Sequence, residues 1–388
     1  MLRLYQAPNS FGVVAAARTC IRPRLMTPRD AILQRFRGAG DNRPLYLPNL
    51  TLWYGWHAAH STFPAGWQGW SLPEIARSLG VPVWLSVRPF RIDPGEVSVE
   101  KTQAGRQRVI RYNSPAGVLT ECWTLGPGDD WWQTEFPVKT AADLPLLLRI
   151  VSARRYVLDL SEFERLAAEV GSDGVVALEL PRRPFSQIFL EWLGWSDGLL
   201  LLFDASALVE EIMAVLEDKV QALAAQIARL PGQIVVSPDN LDAQFVSPAF
   251  FARYLASSYR RTADALHAAG SSLLVGTGGP VARLLQPLAE AGVDGVEGIC
   301  GPPQSDAGLA EARRLTGPNF TLWGGIPQDA LLPDFDREQF EASVSQAAYE
   351  ANADPRAILG VADVVPVHAD LARLQALPLL LSAARSTP

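Results

Sequence analysis

The fold class that this sequence predicts is α/β: a single TIM-type (β/α)8 barrel with an antiparallel β insertion and an N-terminal arm. Three observations predict it. Between residues 233 and 327, four apolar runs (QIVVSPDN, SSLLVGTGG, GVDGVEGI and FTLWGGI) each end in polar or glycine-rich residues. Helical patterns separate these runs, and repeated strand–loop–helix units build a parallel sheet. The chain of 388 residues, 48% hydrophobic and 19% charged, is long enough for one large barrel with an insertion.

In chain order, residues 1–26 read as a loosely organised arm. Residues 26–38 (MTPRDAILQRFRG) predict a helix, with Thr27 as cap and Pro28 at the first helical position. A short strand at 44–50 leads into an aromatic loop or broken helix at 51–70, then a helix at 72–80 and an extended run at 81–86. Residues 87–135 alternate polar and apolar side chains, with turns at Ala104–Gly105 and Ser114–Pro115. Antiparallel hairpins fit that pattern, and we read them as an insertion, or lid, over one mouth of the barrel. Helix returns at 136–151, where Thr140 and Asp143 form a capping box. A helix at 160–171, a buried strand at 175–180 ending in Glu179, a mostly helical stretch at 181–203 and a long helix at 206–230 follow. The central units have helices at 247–270 and 279–292; helices at 332–351 and 370–384 close the chain. Residues 1–388 therefore form one barrel domain, with the arm at 1–26 and the insertion at 87–135.

The net charge of −7 weighs against a nucleic-acid partner, which calls for a basic patch. No apolar stretch reaches the roughly 18 residues of a membrane helix, and the N-terminus lacks a signal-peptide pattern. Three scattered cysteines make no disulfide framework, so a reducing cytoplasm is the simplest location. A small-molecule substrate is the partner this composition leaves.

Parallel barrels place their chemistry just past the strand ends. On that ground Asp239, Glu297 and Asp363 are the candidate catalytic carboxyls, and Glu179, Asn240, Thr277, Trp323 and His368 are candidate substrate contacts. A carboxyl at the end of an apolar strand is desolvated, which raises its pKa toward acid–base use. Each has a plainer reading: a capped turn for Asp239, a salt bridge for Glu297, neutralisation by Arg182 or Arg183 for Glu179. The GTGGP loop around Thr277 is either an anion-binding turn ahead of a helix or a tight turn alone. His57 and His60 share a helical face at a spacing open to metal binding or to hydrogen bonding. Eight of the eleven tryptophans precede residue 135. They read as lid packing or, for Trp53, Tyr54 and Trp56, as a cage for a methylated or planar ligand.

The segments PDNLDAQFVSPAFFARYL (238–255), HAAGSSLLVGTGGPVARLLQPLAEAGVDGVEGI (267–299) and LAEARRLTGPNFTLWGGIP (309–327) resemble the uroporphyrinogen decarboxylase superfamily. Weaker matches at 26–38, 112–121 and 135–144 extend the likeness over nearly the whole chain, closer to the corrinoid-linked methyltransferase branch than to the heme-pathway decarboxylase. The resemblance implies a TIM-type barrel with its site at the C-terminal mouth. It also implies methyl transfer from a small methylated donor to a corrinoid, carried by a partner protein because the chain shows no cobalamin-binding domain, or to another acceptor; homodimers are common in that superfamily. The departures are specific. The decarboxylase's N-terminal arginines are missing from PLYLPNLTLWYGWHAAH, and the methyltransferases' zinc-binding His-x-Cys and second Cys fall on Val275, Thr277 and Asp363. The usual zinc ligands are therefore absent. Decarboxylation of a small acid and non-catalytic binding of a small molecule are the alternatives.

Overall fold

The computed structural model describes residues 26–38 and 45–383, so residues 1–25 of the expected arm lie outside the described residues. The eight barrel strands are β1 (Leu45–Tyr46), β2 (Val83–Val87), β3 (Gly174–Glu179), β4 (Ile234–Leu241), β5 (Ser272–Thr277), β6 (Gly295–Ile299), β7 (Thr321–Pro327) and β8 (Ala357–Ala362). Their hydrogen-bonded order is β1-β8-β7-β6-β5-β4-β3-β2, and every pair is parallel. The sheet curls so far that Trp84 on β2 meets Trp323 on β7 edge-on, ring centroids 4.6 Å apart. The Trp323 indole N–H donates to the Leu47 carbonyl at 2.9 Å, which ties the segment after β1 to the same point.

Period-two alternation sorts each strand. Leu45, Leu47, Val175, Ala177, Ile234, Val236, Leu274 and Ile358 pack inside the barrel with the two tryptophans. Their neighbours Val176, Leu178, Val235, Leu273, Val275, Val296 and Leu322 face the outer helices. Helix α1 (Pro28–Arg37) starts at the expected Thr27 cap and ends at Gly38, whose φ of 75° suits glycine. It sends Ile32 and Phe36 into the inner cluster and so closes the end of the barrel where the strands begin. Arg356 fastens it by donating to the Phe36 carbonyl at 3.0 Å.

The predicted hairpins form a four-stranded antiparallel sheet, Ser98–Ala104, Gln107–Ser114, Gly117–Leu125 and Trp131–Glu135, with turns where they were placed. It meets the helical stretch after β3, where the Tyr112 ring lies tilted against Trp192 with centroids 5.1 Å apart. Two features depart from the sequence reading. Phe90–Asp93 pairs with Arg155–Leu158 as a separate ribbon, a non-local pairing with no local signal. The stretch 181–203 is broken into Pro184–Gln187, a wide turn at Ile188–Leu193, and Trp195–Asp204. Gly194 breaks it at φ 71°, and a side chain there would strike the Phe136 ring.

Trp323 is the fully buried link among β7, β2 and the segment after β1. Trp323→Ala is expected to cost about 3–5 kcal/mol, measured by urea denaturation; a loss under about 1 kcal/mol would contradict this packing.

Candidate active site

The inner face of each strand continues past the core to the barrel mouth. On β4, Ile234 and Val236 lie inside and the next two inner positions are Pro238 and Asn240; on β3 the position after Ala177 is Glu179. Glu297, Asn49, Thr51, Ser86, Trp84 and Asp363 complete most of the lining of a cavity of about 240 Å³. Among the described residues that line it there is no Lys, Arg or His.

Glu297 is the centre of this cavity. It is 9% exposed. Asn49 donates to its Oε1 at 2.8 Å, while the Asn49 carbonyl oxygen accepts from the Thr51 hydroxyl and amide, which fixes the orientation of the Asn49 side chain. Burial pushes the Glu297 carboxyl up from 4.5 to about 8, outweighing the Asn49 bond, and the charge of Asp363 adds to the rise. Asp363 follows β8 and accepts from the Gln328 amide at 2.9 Å. Burial raises its pKa as well, opposed by hydrogen bonds from its own and the Val364 amide. Two carboxyls, both raised by burial, thus line one cavity.

Asp239 is not part of that lining. The alternation that turns Pro238 and Asn240 inward turns Asp239 outward, where it is 1% exposed. It accepts from the Arg183 amide at 2.6 Å, the Ser237 hydroxyl at 2.7 Å and the Tyr259 hydroxyl at 2.5 Å. The Arg183 guanidinium, fully buried, donates to Ser237 at 3.0 Å and Thr262 at 2.7 Å. This polar network joins β4 to its outer helices, and the strand-end argument missed it because it ignored parity. Trp323, likewise, is barrel core.

The remaining candidates divide. Glu179 lines the mouth, and its partner is Arg88 at 2.8 Å, in place of Arg182 or Arg183. Asn240, at φ 51°, fits because Gly278 leaves room for its side chain. The Thr277 hydroxyl donates to the Glu297 carbonyl at 2.7 Å and so positions the acid's own backbone. After the GTGGP loop, the amides of Val281 and Ala282 at the start of the helix donate to the Asp306 carboxylate.

Trp53, Tyr54, Trp56, His57, His60 and His368 gather elsewhere, on and beside the helix Thr51–His60. Trp53 is buried against Phe63 and Trp67, which is packing, and none of the six lines the mouth. His57 bonds Thr62 at 2.6 Å and the Val367 carbonyl at 3.0 Å, and burial holds its pKa below the usual 6.5. His60 stacks on Trp56 at 4.2 Å, and the His368 ring meets the same indole at 5.2 Å. Among the described residues, no three His, Cys, Asp or Glu side chains converge as a metal-ligand set. The positions of the zinc ligands do not fit zinc: Val275 is fully buried among apolar side chains, and the Thr277 hydroxyl is engaged. No helix among the described residues is long and apolar enough to cross a membrane.

Comparisons with known proteins bear on the fold. A methyltransferase from Methanosarcina mazei superposes with a TM-score of 0.60 at 13% identity, over 93% of this chain and all of that one. A D-psicose 3-epimerase with D-tagatose from Clostridium cellulolyticum H10 gives a TM-score of 0.34 at 11% identity, over 63% of this chain and 86% of that one. No protein-family model and no curated protein matches. The chain thus has a TIM-barrel-type architecture.

Two outcomes are expected. Asp239→Ala strips the buried Arg183 network of its anion and should cost about 3 kcal/mol in chemical denaturation. Glu297, with its folded pKa raised, keeps a proton that the unfolded chain releases, so its contribution to stability is full below about 4.5 and is lost as pH rises through about 8. Denaturation midpoints at pH 5.5 and 8.5 should fall with pH in the wild type and fall less in Glu297→Gln.

Proposed function

We propose that this protein is a small-molecule enzyme whose chemistry is proton transfer by Glu297 and Asp363, and that the reaction is lyase-type: decarboxylation of a small acid. The observation that carries the reading is a Glu297 carboxyl that keeps its proton to about pH 8, beside a second carboxyl at the barrel mouth. A neutral Glu297 accepts the approach of a substrate carboxylate without repulsion and can hydrogen-bond it. As the carbon–carbon bond breaks, the electron pair stays on the substrate carbon, carbon dioxide leaves, and Glu297 delivers its proton to that carbon. Asn49 holds Glu297 in place. Asp363, the second carboxyl of the cavity, adds to the rise in the Glu297 pKa through its charge and takes part in returning the proton from solvent.

A second reading is methyl transfer, as in the corrinoid-linked branch that the sequence resembles. The cavity lining favours it in one respect: with carboxyls, an indole at Trp84 and no basic residue among the described ones, it suits a cationic methylated donor. Glu297 would then protonate the leaving heteroatom, and the acceptor would be a corrinoid on a partner protein or another nucleophile. Zinc takes no part in this reading.

The test is a panel of small carboxylic acids incubated in deuterated buffer, with carbon dioxide release and deuterium at the product carbon as readouts. Glu297→Gln should lower turnover by about 10²–10⁴-fold. Wild-type turnover should decline on the alkaline side with a midpoint near 8, where Glu297 loses its proton. Full activity in Glu297→Gln would remove the acid role. Demethylation of methylated amines or aryl methyl ethers with added cob(I)alamin, and no decarboxylation, would select the second reading.

A further inference from the structure

We propose that the mouth cavity continues into a second chamber that holds the anionic end of the substrate, a carboxylate or a phosphate, between Arg88 and Arg182. The inference rests on the mouth being the reaction site and adds the class of substrate: a small molecule whose reacting end meets Glu297 and whose other end is an oxyanion.

The chamber has a volume of about 400 Å³ and shares Glu179 and Pro238 with the mouth cavity. The two arginines line the same chamber. Arg88 extends the inner face of β2, following Trp84 and Ser86 at every second position. Arg182 comes three residues after the end of β3, and the two strands pair with Val87 opposite Leu178. Both guanidiniums therefore stand on the rim where a barrel binds substrate.

Each arginine is held by one carboxylate and keeps most of its donors free. A guanidinium has five N–H groups. Arg88 spends its Nε–H on Glu179 at 2.8 Å and is otherwise exposed. Arg182 spends one terminal N–H on Glu191 at 3.1 Å, and its Nε is buried without a partner. Glu191 in turn accepts from the Gln187 amide at 3.0 Å, which fixes the Arg182 partner in place. The carboxylates thus orient two forks that can grip one oxyanion through paired bonds. The chamber wall also includes Phe90 and Leu180, apolar surface suited to a hydrocarbon spacer.

Calorimetric titration of the full chain at neutral pH with inorganic phosphate and with succinate tests this. One of the two anions is expected to bind in a single stoichiometric step: phosphate if the substrate end is a phosphate, succinate if it is a carboxylate. Arg88→Gln and Arg182→Gln should each weaken that binding by roughly tenfold or more, and Arg182→Lys, which keeps charge but loses the fork, should restore only part of it. Binding of that anion should persist in Glu297→Gln. Turnover unaffected by that substitution would remove the acid–base reading and leave the anion result standing. The proposal is overturned if neither anion binds the wild type, or if the arginine variants bind as tightly as the wild type. Should Arg182→Gln fail to fold in a thermal melt, the exposed Arg88→Gln decides the matter by itself.

Discussion

A parallel strand wrapped into a barrel has two buried faces, and its side chains alternate between them wherever the ladder is regular. Everything at the functional end of this molecule follows from that constraint. It sends Leu45, Leu47 and Asn49 inward along β1 and the segment after it, Ile234, Val236, Pro238 and Asn240 on β4, and Val175, Ala177 and Glu179 on β3. Two layers inside the barrel are apolar and include Trp84 and Trp323. The layer above them is polar. A barrel too narrow for an open channel is filled by side chains to the level where the residues turn polar, and the cavity begins there.

The same constraint separates two acids near the strand ends, Asp239 on β4 and Glu297 on β6. Glu297 occupies an inner position, where the walls exclude water and a single amide donor from Asn49 is too little to hold its charge. Asp239 occupies an outer position, where three donors and a buried guanidinium surround it. Both are buried. Burial with few donors favours the neutral form of Glu297, and the three donors around Asp239 make it a structural hub. The number of hydrogen bonds aimed at each carboxyl, more than its depth, separates the candidate catalyst from the structural brace.

The aromatic segment after β1 shows how a residue type can suggest chemistry that its surroundings do not support. Histidines four and one residues from tryptophans, on one helix, suit both a metal site and a packed cluster. Here ring stacking and backbone carbonyls absorb them: His57 bonds the Val367 carbonyl, and His60 bonds the Trp56 carbonyl. A histidine with both ring nitrogens engaged, as His57 is, has none left for a ligand. The cluster ties the segment leaving β1 to the segment leaving β8, the two strands that lie side by side at one end of the hydrogen-bonded order.

By itself the sequence determined the barrel, the antiparallel insertion, the caps at Thr27 and Thr140, and the presence of Glu179, Asn240, Thr277, Glu297 and Asp363 at strand ends, because apolar periodicity and turn residues are local signals. Parity was also legible along β4 and would have set Asp239 aside. Only the tertiary structure decided the partners. Asn49 and Glu297 are 248 residues apart in the chain, and Arg88 and Glu179 are 91 apart. The shift of the Glu297 carboxyl depends on how completely eight separate strands exclude water around it. That is a property of packing in space, and no single stretch of sequence carries it.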